Sequence, residues 1–422
     1  MPRVLLLIPS ATYRAPDFME AAGKLDVQVV VGSDQRQALE EIMPGRALAV
    51  DMAHPEHGAE QIADFAHRYP LDTILPVDDG GTLVAALASE WLGLPHNPVA
   101  AVQATRDKHL LRERLAASGV LSPPYRLVDI DADPQQIAGD LFYPCVLKPL
   151  ALSGSRGVMR ADNAAQFVAA FARLKALLAQ PDVAAECGPA ARQALVEGYI
   201  PGEEVALEGL LTDGRLHVLA LFDKPDPLVG PFFEETIYVT PSRLPAETQA
   251  QIAATAERAA RALGLRDGPL HAELRLNELG AWPVDIAARS IGGLCSRTLS
   301  FGTGMSLEEL ILRHATGAAI PSFEREGSAS GVMMIPIPAP GVLREVAGIE
   351  KAEAVPGIVS VTISIHRGQE VVPLPEGSEY LGFIFAKGEE PAQVEGALRR
   401  AHAALRFTIE PAGAKERSGG RT

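Results

Sequence analysis

The chain has 422 residues, of which 47% are hydrophobic and 22% charged, and a formal net charge of −15. That length predicts a globular protein of roughly two to four domains, and the acidic balance argues against non-specific nucleic-acid binding, which needs clustered Lys and Arg. Cys145, Cys187 and Cys295 lie too far apart for a disulfide framework or a zinc site, so reduced thiols in a cytoplasm are expected.

The opening MPRVLLLIP holds about five apolar residues in a row, too few for a signal h-region or a membrane span. No membrane contact is expected, and no internal repeat is visible. Residues 4–8, 27–31 and 73–77 read as buried parallel strands separated by helical stretches. This predicts a Rossmann-like α/β domain over 1–105, with ligands at the carboxyl ends of its strands. Gly32 belongs to no full GxGxxG, so no dinucleotide fingerprint is present. Asp78-Asp79 sits at a strand end, where capping of the following helix is favoured over contact with a substrate.

Arg106-Asp107-Lys108 opens a helix that runs to Ser118. A lysine in the first turn works against the helix dipole, which suggests another task for Lys108. In YPCVLKP (143–149), Lys148 interrupts an apolar strand, and lysine is rarely buried without an anionic partner. The following SGSRG places Ser153, Gly154, Ser155 and Gly157 where backbone N–H groups can wrap a phosphate, although hairpin loops share that composition. Residues 162–178 read as a helix and 180–189 as a loop. LVEGYIPGEE (195–204) is a short strand leading into Pro201-Gly202, and 205–211 continues as a strand. Residues 222–241 are punctuated by prolines and carry Lys224 and Glu234-Glu235; we prefer an acceptor-substrate segment over a plain crossover. A long alanine-rich helix follows at 246–263.

HAELRLNELGAWPVDIAARSIGG (271–293) reads as two strands around a three-residue loop, Glu278-Leu279-Gly280. Glu273 and Asp285 each lie six residues from Leu279. They are thus cross-strand partners with Cβ atoms roughly 5 Å apart. Two like charges so placed need compensation, either from water or from a hard divalent cation. Magnesium typically takes one or two carboxylates plus phosphate oxygens. Arg289 and Gly292-Gly293 then add a cation and flexible backbone.

In this order and spacing, YPCVLKP with SGSRG, then LVEGYIPGEE, then HAEL to ARSIGG resemble the ATP-grasp ligases, over roughly residues 1–320. The resemblance implies a central ATP-grasp fold over 106–320, with its glycine-rich-loop lobe at about 120–200. It also implies that ATP is bound. Lys108, Lys148 and the loop residues Ser153, Gly154, Ser155 and Gly157 would hold the phosphates. Glu197 and the backbone at Gly198 and Tyr199 would meet the adenine, and Glu204 the ribose. Glu273 and Asp285 would hold magnesium or manganese. Lys148 and Arg289 are the catalytic cations, and the planar fork of Arg289 suits a phosphate or a substrate carboxylate equally.

One position departs from the family pattern: Ala287 stands where an asparagine usually follows the second metal carboxylate, so a second metal would lack a ligand or draw on water. Ala287-Ala288-Arg289 looks more like the amino-acid ligases than the carboxylases or D-alanine ligases. Residues 325–412 change character, with strict alternation at 359–365, a strand at 380–385 and a helix at 391–405. They are expected to form a small α+β domain resembling the C-terminal domain of the L-amino-acid-ligase branch, and 413–422 a flexible tail. The fold class is thus α/β and α+β. The expected activity is carboxylate–amine ligation through an acyl phosphate, on small carboxylates and amines and foremost amino acids, with a homodimer left open. A biotin-carboxylase-like or purine-pathway enzyme, and a nucleotide-binding module without turnover, are the alternatives.

Overall fold

The run Val4–Leu7 needs no alternation because both of its faces are covered. Arg3–Leu7 pairs in parallel with Gln28–Ser33 on one side and Thr73–Pro76 on the other, with Ala47–Ala49 outermost. Leu5 and Leu7 pack with Ile62 and Phe65 of helix Pro55–Arg68 and Val84 of helix Asp79–Leu92. Val4 and Leu6 face the opposite way, into a core shared with Phe18 and with Leu307 and Ile311 of helix Leu307–Ala315. The carboxyl ends of these strands therefore open toward the rest of the chain. The computed structural model describes residues 1–10, 12–36 and 44–411, so the tail expected at 413–422 lies outside the described residues.

The helix expected from 106 to 118 is Lys108–Ala117, and a separate helix, Val99–Arg106, precedes it. Asp107 breaks them apart: it is extended, and its carboxylate accepts the N–H groups of His109 and Leu110 as an N-cap. Lys108 is thereby the first helical residue, and its own N–H is free to donate to the Leu150 carbonyl at 3.0 Å.

A second lobe is an antiparallel sheet ordered Tyr125–Asp129, Gln193–Gly198, Cys145–Pro149, Met159–Ala161. Phe167, Phe171 and Leu174 of helix Ala164–Leu178 seal one face of it. The loop expected at 180–189 is instead the helix Pro181–Cys187 followed by a 3-10 turn, Gly188–Arg192. Pro181 at the first helical position supplies the pre-set φ that starts it.

The larger sheet has eight strands, in the order Gly280–Ala287, Gly268–Asn277, Glu203–Thr212, Arg215–Asp223, Ile237–Thr240, Ala329–Ile335, Gly382–Gly388, Ile358–Ile363. Within 222–241, Asp223 pairs with Val239, and Ile237–Thr240 is a sheet strand. The C-terminal domain shares the central sheet: Ala329–Ile335 takes the open edge of Ile237–Thr240 and carries it onward. An unpaired strand edge presents a row of unmet N–H and C=O groups, and this pairing satisfies them. The helix Ala246–Leu263 lays Ile252, Ala256, Ala259 and Ala260 on this sheet, the small side chains allowing close approach.

The Glu273 hairpin closes through a two-residue turn, Glu278-Leu279, because Asn277 pairs with Gly280. The Asn277 side chain takes the loop's place as organiser, accepting from the Leu279 N–H and the Trp282 indole at 3.0 and 2.9 Å. A bulge beside Glu273 then shifts the register by one residue and restores the pair Glu273–Asp285. The expected partners are paired, though by a shorter turn plus a bulge rather than by a three-residue loop.

Candidate active site

The three lobes meet at a cleft of about 280 Å³. Lys148 and Glu197 project into it from adjacent strands of the second lobe and pair at 2.8 Å. Glu197 also accepts from Nε of Arg112, at 2.7 Å, while the same guanidinium donates to the carbonyls of Pro283 and Val284. Arg112 is fully buried and Lys148 only 8% exposed, so one carboxylate serves two buried cations. Burial alone would raise the Glu197 carboxyl, but Arg112 and Lys148 outweigh it and bring it down to about 2. Burial lowers the Lys148 ammonium despite the pull of Glu197, and repulsion from the nearby Arg112 charge adds to the lowering. An anion arriving beside Lys148 offsets that lowering.

The roles expected of the adenine segment are narrower in the structure. The N–H groups of Gly198 and Tyr199 are already donated to the carbonyls of Pro124 and Pro144 at 2.8 and 3.1 Å, and both oxygens of the Glu197 carboxylate are held by cations. What these residues present is a wall: the Tyr199 ring stacks on Phe233 and carries Arg160 and Arg275 at 4.1 and 5.1 Å from its centroid. Glu204 is likewise engaged, by Lys224 and by Nε of Arg275, each at 2.8 Å.

In the glycine-rich loop, Ser153, Gly154 and Ser155 line the cleft. Gly154 and Ser155 are both left-handed, at φ 62° and 55°, a conformation that turns backbone amides to one side. Gly157 does not line the cleft, which corrects its expected place among the phosphate holders. A Cβ there would stand 3.1 to 3.2 Å from Leu174, Leu177 and Pro149, so this glycine serves close packing of loop on helix. Lys108 ties the loop root to the opposite wall: its Nζ donates to the Leu152 carbonyl at 2.8 Å and lies 4.0 Å from Asp285.

Glu273, a half-buried carboxylate, is compensated by cations. Lys224 Nζ lies 3.4 Å from it, 2.8 Å from Glu204 and in contact with Glu235, and His271 Nε2 lies at 3.5 Å. Burial would pull the His271 imidazole down, yet its hydrogen bonds to Glu208 and Glu273 raise it to about 9, so it is protonated. Burial and the neighbouring Glu273 push Glu235 up to about 7. Carboxylate oxygens of Glu204, Glu235 and Glu273 lie within 4.8 Å of one another. That trio is a poor metal cage as it stands, because the Lys224 ammonium already occupies it. Glu273 and Asp285 fit better. Both line the cleft from paired strands, Asp285 is 39% exposed, and hard oxygen donors suit magnesium.

At the far end Arg289 donates Nη2 to Asp79 at 2.7 Å and Nη1 to the Ser290 carbonyl, while its buried Nε has no partner. Asp79 also lies 3.2 Å from Arg106. The capping role favoured for Asp78-Asp79 is corrected: neither side chain caps the helix, Asp78 accepts from the Thr12 hydroxyl, and both face the cleft. The reason is the cation pair Arg106 and Arg289, brought against the strand end from the central domain. Glu208 holds the next turn by accepting the Ile291 N–H on both oxygens, at 3.0 and 3.1 Å. Sequence reading missed Arg112, Glu208 and His271. For His271 a signal existed, since it stands two residues before Glu273 and so shares its strand face.

This arrangement of a cation-lined glycine loop, a carboxylate hairpin and a parallel-sheet domain defines a class. Residues 141–298 match the ATP-grasp domain, 19–96 the ATP-grasp N-terminal domain, and 333–410 the L-amino acid ligase C-terminal domain 2. The chain thus carries ATP-grasp domains, and its C-terminal part matches the C-terminal domain of the L-amino acid ligases. Its fold matches that of the L-amino acid ligase from Bacillus licheniformis with a TM-score of 0.78 at 23% identity, covering 97% of this chain and 99% of that one. Alanine–anticapsin ligase of Bacillus subtilis (strain 168) is 28% identical over 282 residues, which are 62% of this chain and 58% of the relative. Carnosine synthase 1 of Gallus gallus is 31% identical over 283 residues, 63% of this chain and 30% of the relative. The chain thus spans less than two thirds of the length of these two curated relatives.

Proposed function

We propose that the protein is an ATP-dependent ligase that joins the carboxylate of one amino acid to the amine of another, releasing ADP and phosphate. One observation carries the reading: Lys108 and Lys148, the pair Glu273–Asp285 and the orphaned donor of Arg289 all line a single cleft. The names of the relatives, ligases and a synthase, agree with it.

A carboxylate oxygen of the first substrate attacks the γ-phosphorus and ADP leaves, giving an acyl phosphate. The amine nitrogen of the second substrate then attacks the acyl carbon, the C–O bond to phosphate breaks, and the amine loses a proton. The chain needs no nucleophile of its own; it positions the reactants and offsets charge. Lys148 meets the nucleotide phosphates, and Lys108 holds the loop root beside them. The free Nε and planar fork of Arg289 bind a carboxylate, with Asp79 fixing its orientation. Glu273 and Asp285 would hold a magnesium ion, which neutralises phosphate charge when bound. A cytoplasmic setting belongs to the proposal, because three buried free cysteines suit a reducing compartment. Among the described residues no helix is long and apolar enough to cross a membrane.

The test uses a substrate carboxylate labelled with heavy oxygen. One labelled oxygen should appear in the released phosphate, with ADP as co-product. Label kept wholly in the amide, or release of AMP and pyrophosphate, overturns the mechanism. ADP release that requires bicarbonate instead of an amino acid moves the enzyme to the carboxylase type.

A further inference from the structure

The C-terminal domain reaches back over the nucleotide end of the cleft through the segment 373–380, two of whose residues, Ser378 and Tyr380, line the cavity. Three contacts fasten this strap to the glycine-rich loop and the helix behind it, and Ser378 stands against Gly154. The Gly157 N–H donates to the Pro375 carbonyl at 2.8 Å, and Arg156 Nε donates to the Glu376 carbonyl at 2.7 Å. Ser378 Cβ lies 3.6 Å from the place a Cβ on Gly154 would take. The Glu376 carboxylate grips Arg173 of helix Ala164–Leu178 in a two-pronged pair, with Nη2 to Oε2 at 2.7 Å. Arg173 in turn lies over the Phe232 ring, 4.9 Å from its centroid, beside the cleft-lining Phe233. The hydrogen bond from Arg173 also holds the Glu376 carboxyl below its usual range.

The strap is shaped for this one turn. Gly377 donates its N–H to the Pro373 carbonyl at 3.0 Å, and a Cβ on Gly377 would stand 1.8 Å from the Val372 carbonyl oxygen. Nothing larger than glycine fits, so Glu376 is presented in a fixed direction. A bidentate Arg–carboxylate pair adds geometric specificity to charge, which suits it to hold two domains in one relative position.

We propose that Glu376 is a positioning residue for the nucleotide: gripping Arg173, it pins the strap on the glycine-rich loop and holds Ser153–Ser155 closed over the phosphates. The inference rests on the nucleotide reading of the cleft, but its central test does not need turnover. Trypsin cuts after Arg156 only when the loop lifts from the strap, so the Arg156–Gly157 bond reports closure directly. Glu376→Arg should speed that cleavage and weaken ADP binding, each by about three- to tenfold, as expected for a half-exposed charge pair. The KM for ATP should rise by a similar factor while kcat changes little. Arg173→Glu combined with Glu376→Arg re-forms the pair with reversed signs and should restore both protection and ADP affinity. General destabilisation would not be rescued by the swap. If Glu376→Arg does not fold, Glu376→Gln, which keeps the shape and removes the charge, is read in the same way. Unchanged cleavage at Arg156 together with unchanged ADP affinity overturns the proposal. If wild-type protein fails to bind ADP while the cleavage pattern follows the pair, the clamp stands and the nucleotide assignment falls.

Discussion

Asp79 and Arg289 are 210 positions apart in sequence and 2.7 Å apart in space. Asp79 begins the helix that follows a strand of the first domain, Arg289 leaves the central hairpin, and their contact joins the two across the cleft. Burial would raise the Asp79 carboxyl, yet Arg289 and Arg106 hold it well below the usual carboxylate range. The guanidinium is thus oriented from the first domain, whereas Lys148 and Ser153–Ser155, the proposed nucleotide contacts, belong to the second lobe.

The first prediction follows from that division. Asp79→Asn keeps the shape and removes the charge that fixes Arg289. The KM for the amino-acid substrate should rise about ten- to a hundredfold, the worth of a hydrogen bond to a charged group. ADP affinity, measured by calorimetry, should hardly move. Equal losses for ADP and amino acid would place Arg289 on the phosphates instead.

Lys148 should behave in the opposite manner. Lys148→Ala removes a phosphate contact but no contact to the base, so it should weaken ATP binding about ten- to a hundredfold and AMP binding much less. Calorimetry with both nucleotides decides; equal losses would mean that Lys148 acts only as a partner of Glu197.

Glu197 carries a pH signature. Its carboxyl is brought from 4.5 to about 2 by two buried cations, so it contributes stability that is fully present above about pH 4.5. That contribution falls away as the pH drops toward 2, and at neutral pH it amounts to roughly 3 kcal/mol. Urea unfolding of wild type and Glu197→Gln should differ by about that much at pH 7, since removing one partner leaves buried charge unpaired. The difference should shrink steadily below about pH 4.5. A gap independent of pH would be evidence against the ion-pair account.

Lys224 and His271 converge on Glu273, the carboxylate proposed to hold the metal. Glu273→Ala should abolish magnesium-dependent phosphate release while far-UV circular dichroism stays native, because Lys224 keeps Glu204 and Glu235 and His271 keeps Glu208. Near wild-type release at saturating magnesium would show the metal held elsewhere.

Much of this site was legible in the chain. Lys148 breaking an apolar strand, the small residues of Ser153–Gly157 and the charges on the Glu273 hairpin announce themselves through local rules: strand alternation, loop composition, and the cost of an unpaired buried charge. The pairing of Glu273 with Asp285 was also within reach, since a hairpin is a short-range object, although its turn and bulge were not. The helix 246–263 and the parallel strands likewise follow from hydrophobic pattern alone.

Tertiary structure decided whatever depends on contacts between distant segments. Asp79 reads as a helix cap until Arg106 and Arg289 arrive from another domain. Glu197 reads as a nucleotide contact until Arg112 is buried against it, and Gly157 as a phosphate holder until Leu174 and Leu177 pack on it. The C-terminal strands join the central sheet because an open edge takes any strand that folding brings to it, and no residue in the sequence names that partner. Local pattern specifies which groups must find partners, and the packing of domains specifies which partners they find.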